Sequence, residues 1–62
     1  MKVITAVYDG KPIYFPAEQI FAYFADATDP TKTTVKHAAN GTQIYTSTFD
    51  GTPDDLTAIL TS

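Results

Sequence analysis

Apolar and polar positions alternate on both sides of two dipeptides, Asp9-Gly10 and Asn40-Gly41. Type I′ turns need positive φ at both central residues, and these dipeptides tolerate it best, so each predicts a β-hairpin. A two-residue loop at Asp9-Gly10 pairs Tyr8 with Lys11, Ala6 with Ile13 and Ile4 with Phe15. That register gathers Ile4, Ala6, Ile13 and Phe15 on one face and sends Val3, Thr5, Val7 and Tyr14 to the other. Pro12 falls opposite Val7, where its missing N–H costs no bond within the hairpin. On a central strand it would lose a bond to the next neighbour, so the second strand is expected at a sheet edge. A two-residue loop at Asn40-Gly41 sets Val35 against Thr46 and His37 against Ile44, placing Val35 and Ile44 on one face. The opposite face then carries Thr34, Lys36, Ala38, Gln43, Tyr45 and Ser47. A one-residue slip would exchange these faces.

The stretch "GTPDDLTAIL" reads as a helix start. Thr52 suits the N-cap, Pro53 suits the first helical position, and Asp54 and Asp55 complement the positive end of the helix dipole. Leu56, Ile59 and Leu60 stand at i, i+3 and i+4, which gives an apolar stripe. A helix of about ten residues is unstable alone and must pack on the sheet.

The segment "PAEQIFAYFADATDP", Pro16 to Pro30, admits two readings. A helix is favoured by Pro16 and Glu18 near its start and by Ile20, Phe21 and Phe24 on one side. Phe15 is a poor N-cap, however, and Tyr23 leaves little polar face. As a strand, Ile20, Ala22 and Phe24 alternate with Phe21 and Tyr23, and "DATDP" supplies turn residues to end it. The strand, entered through a short turn at "PAEQ", is the reading adopted. Residues 1–62 then form one α+β domain: a small antiparallel meander of about four to five strands with one C-terminal helix packed on a face. Asp26 to Thr34 is the longest loop.

Size sharpens the picture. A chain of 62 residues hides only about 60% of the surface its unfolded form exposes. Domains this small gain margin from disulfides, metals or partner subunits. The sequence has no cysteine, which removes disulfides, thiolate metal sites and thiol catalysis and leaves oligomerisation as the expected support. The opening "MKVITAVYDG" is too short for a signal-peptide core and no run approaches membrane-spanning length, so a cytoplasmic, soluble protein without a membrane partner is expected.

Charge argues against nucleic acid. The net charge is −3, the pI is near 4.5, and arginine is absent. Lys2, Lys11, Lys32 and Lys36 are scattered, whereas phosphate binding relies on clustered cations that release counterions.

Candidate chemistry is sparse. His37 is the single histidine, next to Lys36 in a predicted strand, without carboxylates at ligand spacing. Asp26 and Asp29 flank a turn, and Asp50, Asp54 and Asp55 flank the helix start. Neither set has the spacing of a calcium loop, and turn and cap duties account for both. Asn40-Gly41-Thr42 matches a glycosylation sequon but reads as a hairpin turn. No phosphate-cradling loop is present and no serine stands in a nucleophile context. The expectation is a non-enzyme with no catalytic residue, metal or cofactor. Four tyrosines, Tyr8, Tyr14, Tyr23 and Tyr45, could stack bases, but half-buried sheet aromatics are more often interface residues. Tyr14, Tyr23 and Tyr45 are the candidate partner-binding residues.

The order of signals in "DGKPIYFPAEQIFAYF", "KTTVKHAANGTQIYTS" and "DDLTAIL" resembles the N-terminal half of a LytTR-type DNA-binding domain. There an apolar strand leads through a Pro/acidic turn to a strand beginning with Ile, here Ile20, and a hairpin with an NG-like turn and a short helix follow. The later strands and basic DNA-contacting loops of that family have no counterpart, so neither DNA binding nor any contact residue is carried over. The pattern is also similar to the short FlbD-type flagellar proteins. Two functions follow as expectations. The first is a non-catalytic interaction module that homo-oligomerises or pairs a sheet edge with a partner protein. The alternative is a degenerate LytTR-like regulatory or nucleic-acid-binding domain.

Overall fold

The computed structural model describes residues 1–38 and 43–62. The elements are β1 (Val3–Tyr8), β2 (Lys11–Pro16), β3 (Ile20–Ala25), β4 (Thr33–Ala38), β5 (Ile44–Phe49) and helix α1 (Pro53–Thr61). The strands form one antiparallel sheet, so the expected α+β fold with one C-terminal helix is the fold observed.

The first hairpin has the expected register, with Tyr8 opposite Lys11, Ala6 opposite Ile13 and Ile4 opposite Phe15. Asp9 and Gly10 take φ values of 53° and 76°, as a type I′ turn requires. The sheet order is β2-β1-β5-β4-β3, which puts the proline-bearing β2 at an edge. Pro16 leads into a single 3-10 turn at Ala17–Gln19, and the chain then becomes strand β3. The segment after Pro16 is therefore a strand.

Sequential strands are neighbours except β2 and β3, which form the two edges, while β1 and β5 pair at Val7 and Thr48. A three-residue link between opposite edges demands a strongly curled sheet, because a residue spans at most about 3.6 Å and strands lie about 4.8 Å apart. The stacking of Phe15 on His37, from β2 and β4, reports the same curl. The β1–β2 hairpin thus folds over the inner face of β3–β4–β5.

Leu56 of α1 enters the core beside Ile4, Ala6, Phe15 and Val35, with Ile13, Ala17, Ile20, Tyr23, Phe49 and Leu60 around them. Burying such side chains stabilises by about 25 cal/mol per Å² of apolar surface. The helix begins with a reciprocal capping box: Thr52 Oγ1 accepts from the Asp55 N–H and Asp55 Oδ2 accepts from the Thr52 N–H, each at 3.1 Å. At its other end, Lys2 donates to the Leu60 carbonyl at 3.1 Å and to that of Ser62, where a cation offsets the negative dipole end. Ile59 does not share the buried stripe and is exposed. Leu56 and Leu60 reach the core and Ile59 lies to one side of them.

Two expected details differ. In the second hairpin, Val35 opposes Ser47 and His37 opposes Tyr45, so the register is shifted by one residue. Tyr45, Ser47 and Phe49 therefore share the inner face with Val35 and His37. Ile44 opposes Ala38 and is exposed. Ser47 gains a buried partner in His37 by this shift, which apolar spacing alone does not register. The expected Asn40-Gly41 loop, with its sequon, lies outside the described residues. In β3, an irregularity between Ile20 and Ala22 breaks strict alternation. Ile20 and Tyr23, three apart, both pack on the core, while Phe21 and Phe24 are exposed. A bulge has this consequence because its extra residue resets the face of those that follow.

Candidate functional site

A cleft of about 200 Å³ opens where β2 crosses β4 and β5, lined by Ile13, Tyr14, Phe15, Gln19, His37, Ala38 and Tyr45. His37 is its one titratable imidazole. The ring stacks on Phe15 with centroids 3.8 Å apart and planes within 7°, and Tyr45 meets it edge-on at 6.0 Å. Its Nε2 lies 2.8 Å from Ser47 Oγ and its Nδ1 3.4 Å from the Ala38 carbonyl. The carbonyl can only accept, so Nδ1 carries the proton and Nε2 accepts from the Ser47 hydroxyl. Burial pushes the His37 pKa below its ordinary value, with the Ala38 carbonyl opposing in part. The ring is neutral at pH 7.

A histidine bonded to a serine raises the question of a nucleophile and its base. Here both residues are only 2% exposed, and the second ring nitrogen meets a backbone carbonyl in place of an orienting carboxylate. The pair satisfies polar groups inside the sheet, as burial demands. This contact was invisible in the sequence because it depends on the one-residue register shift.

Asp26 and Asp29 are occupied within their own turn. Asp26 Oδ2 accepts from the Thr28 N–H and hydroxyl and the Asp29 N–H, and its Oδ1 accepts from Thr34. Asp29 Oδ1 accepts from the Thr31 N–H and hydroxyl. These bonds hold both carboxyls below their usual pKa, the Thr28 and Thr31 hydroxyls contributing most. Asp50 forms an exposed ion pair with Lys32 at 2.9 Å. Among the described residues no three His, Asp or Glu gather as a metal site. No helix among them is long and apolar enough to cross a membrane.

The three candidate tyrosines are not gathered in one patch. Tyr14 is 68% exposed on the outer face of β2. Tyr45 is half-buried on the inner face, stacked on Tyr8 with centroids 4.7 Å apart. Tyr14 and Tyr45 both line the cleft. Tyr23 lies apart from it, its hydroxyl 2.6 Å from Thr57 Oγ1, where it ties β3 to α1.

The helix packs on the inner side, and no element among the described residues covers the outer face of the sheet. Val3, Val7, Tyr14, Phe24 and Ile44 are exposed there, around a polar centre in which Lys36 donates to Thr46 at 3.2 Å.

The two edges differ in the backbone groups they offer. In a hairpin with a two-residue turn, the flanking residues exchange both bonds and bonded pairs then alternate. Bonded pairs on β2 are therefore Lys11, Ile13 and Phe15, and the Ala17 N–H continues the ladder to the Lys2 carbonyl at 2.9 Å. Pro12, Tyr14 and Pro16 point to the free edge, where the prolines lack an N–H. On β3, the Asp26 N–H reaches the Lys32 carbonyl at 3.0 Å. That ladder continues through Phe24–Thr34 and Ala22–Lys36, so Tyr23 and Ala25 point their N–H and C=O groups outward.

Comparison with protein-family models, with curated proteins and with solved structures finds no match.

Proposed function

We propose that this chain is a non-catalytic interaction module that associates through its sheet, with a second copy or with a partner protein. One observation carries the reading: a single helix covers one side of the sheet and leaves apolar side chains exposed on the other, from Val3 and Tyr14 to Phe24 and Ile44. A domain this small gains stability by burying such surface against another chain. The enclosed His37–Ser47 pair and the locally bonded aspartates are consistent with a structural use of polar groups. The LytTR-like regulatory reading is the alternative, and the absence of arginine with a net charge of −3 weighs against it.

Sedimentation velocity at tens of micromolar, at low and high salt and with random duplex DNA, separates the two. The interaction module gives species above the 6.7 kDa monomer, alone or with proteins of the source cell, that persist at high salt, and no DNA complex. A DNA complex that weakens steeply with salt favours the regulatory alternative.

A further inference from the structure

We infer that β3 is the associating edge and that its occupant is the β3 strand of a second copy, antiparallel about a two-fold axis at Phe24. This rests on the reading of the chain as an association module and names the surface and partner.

Natural sheets protect an edge with proline, charge or a covering element, because unpaired N–H and C=O groups template another strand. Edge β2 is guarded twice: Pro12 and Pro16 stand at outward-pointing positions, and Lys11 begins the strand. Edge β3 has neither device. From Gln19 to Ala25 the sequence is QIFAYFA, without charge or proline. Its bulge lies at Ile20/Ala22, and from Ala22 to Ala25 the pairing with β4 is regular. The helix does not close the far end of this edge, since Ala25 and Phe24 are both exposed.

A second copy fits on grounds of charge and symmetry. The chain carries −3 overall, so two copies approach best through a strand that brings no like charges together. Antiparallel pairing of one strand with itself also satisfies both free edges at once.

The register follows from the bonding pattern. Tyr23 and Ala25 hold the outward groups, so Tyr23 of one copy exchanges both bonds with Ala25 of the other, and reciprocally. Phe24 then meets its own mate at a non-hydrogen-bonded position, where Cα atoms approach to about 4.5 Å and side chains are closest. A register centred on Tyr23 would draw Phe21 and the bulge into the ladder, whereas the Phe24-centred one uses only the regular run.

The chain has no cysteine, so single cysteines report the contact cleanly. Opposed residues at a non-hydrogen-bonded pair meet disulfide geometry, so Phe24→Cys should form a linked dimer under mild oxidation on the order of tenfold faster than Tyr14→Cys, an exposed control on β2. Phe24→Lys should sediment as a monomer while keeping the wild-type circular dichroism spectrum, which shows that the fold survives loss of the contact. Equal crosslinking of both cysteine variants in a chain that self-associates overturns the edge assignment and leaves the association reading standing. A wild-type chain that stays monomeric overturns the proposal and confines that reading to a different partner protein.

Discussion

Phe15 on β2 and His37 on β4 stack with ring centroids 3.8 Å apart, although β1 and β5 lie between their strands in the sheet. That contact measures the curl of the sheet. It also sets the chemistry of the histidine, since the phenyl ring covers one imidazole face and removes it from water.

The His37 environment predicts a pH dependence with a defined sign. Burial lowers its pKa in the folded chain below the ordinary 6.5, so the unfolded chain takes up the proton first. Stability from this site is complete above pH 6.5 and falls as pH drops toward the folded-state value, by at most about 1.4 kcal/mol per pH unit. The groups that face the ring are Ser47, the Ala38 carbonyl, Phe15 and Tyr45. Urea unfolding from pH 7.5 to 5 should show the decline, and His37→Gln should flatten it. Asp26 and Asp29 act in a separate window: their lowered values give stability that is lost only as pH falls below the ordinary 3.8.

Leu56 is the helix residue that fills the core, and Ile59 on the same helix is exposed. Leu56→Ala should cost about 2–5 kcal/mol, a large share of the roughly 3–9 kcal/mol expected for a chain of this length. Ile59→Ala should stay within about 0.5 kcal/mol, as surface changes do. Thermal melts followed by circular dichroism compare the two directly. Equal losses would contradict the packing.

The hairpin at Asp9-Gly10 and the cap at Thr52 were fully legible, because each depends on neighbours in sequence. The second hairpin was not. Its register brings Ser47 to His37, a polar contact across strands that apolar spacing does not rank. The alternation of β3 failed for a related reason: a bulge leaves no mark in composition, yet it moves Phe24 to the outer face. Tyr14, Tyr23 and Tyr45 could be selected as aromatics, but that Tyr14 and Tyr45 meet at the cleft while Tyr23 contacts the helix required the sheet order. The stacking of Tyr8 on Tyr45 emerged only with that order.

The capping box predicts a local effect. Thr52→Ala removes the acceptor for the Asp55 N–H and should lower stability by about 1 kcal/mol. Thr52→Ser keeps the hydroxyl and should recover most of it. Urea midpoints for the two variants test this, and identical losses would show that the hydroxyl bond contributes nothing.

Amide hydrogen exchange as a function of protein concentration tests the associating edge most directly. In the single chain the Tyr23 and Ala25 amides point away from β4 and exchange quickly, whereas those of Ala22 and Phe24 are bonded to it. Association through β3 predicts that protection at Tyr23 and Ala25 rises with concentration while Ala22 and Phe24 stay protected throughout. Fast exchange at Tyr23 and Ala25 at every concentration, in a chain that sediments as an oligomer, would contradict it.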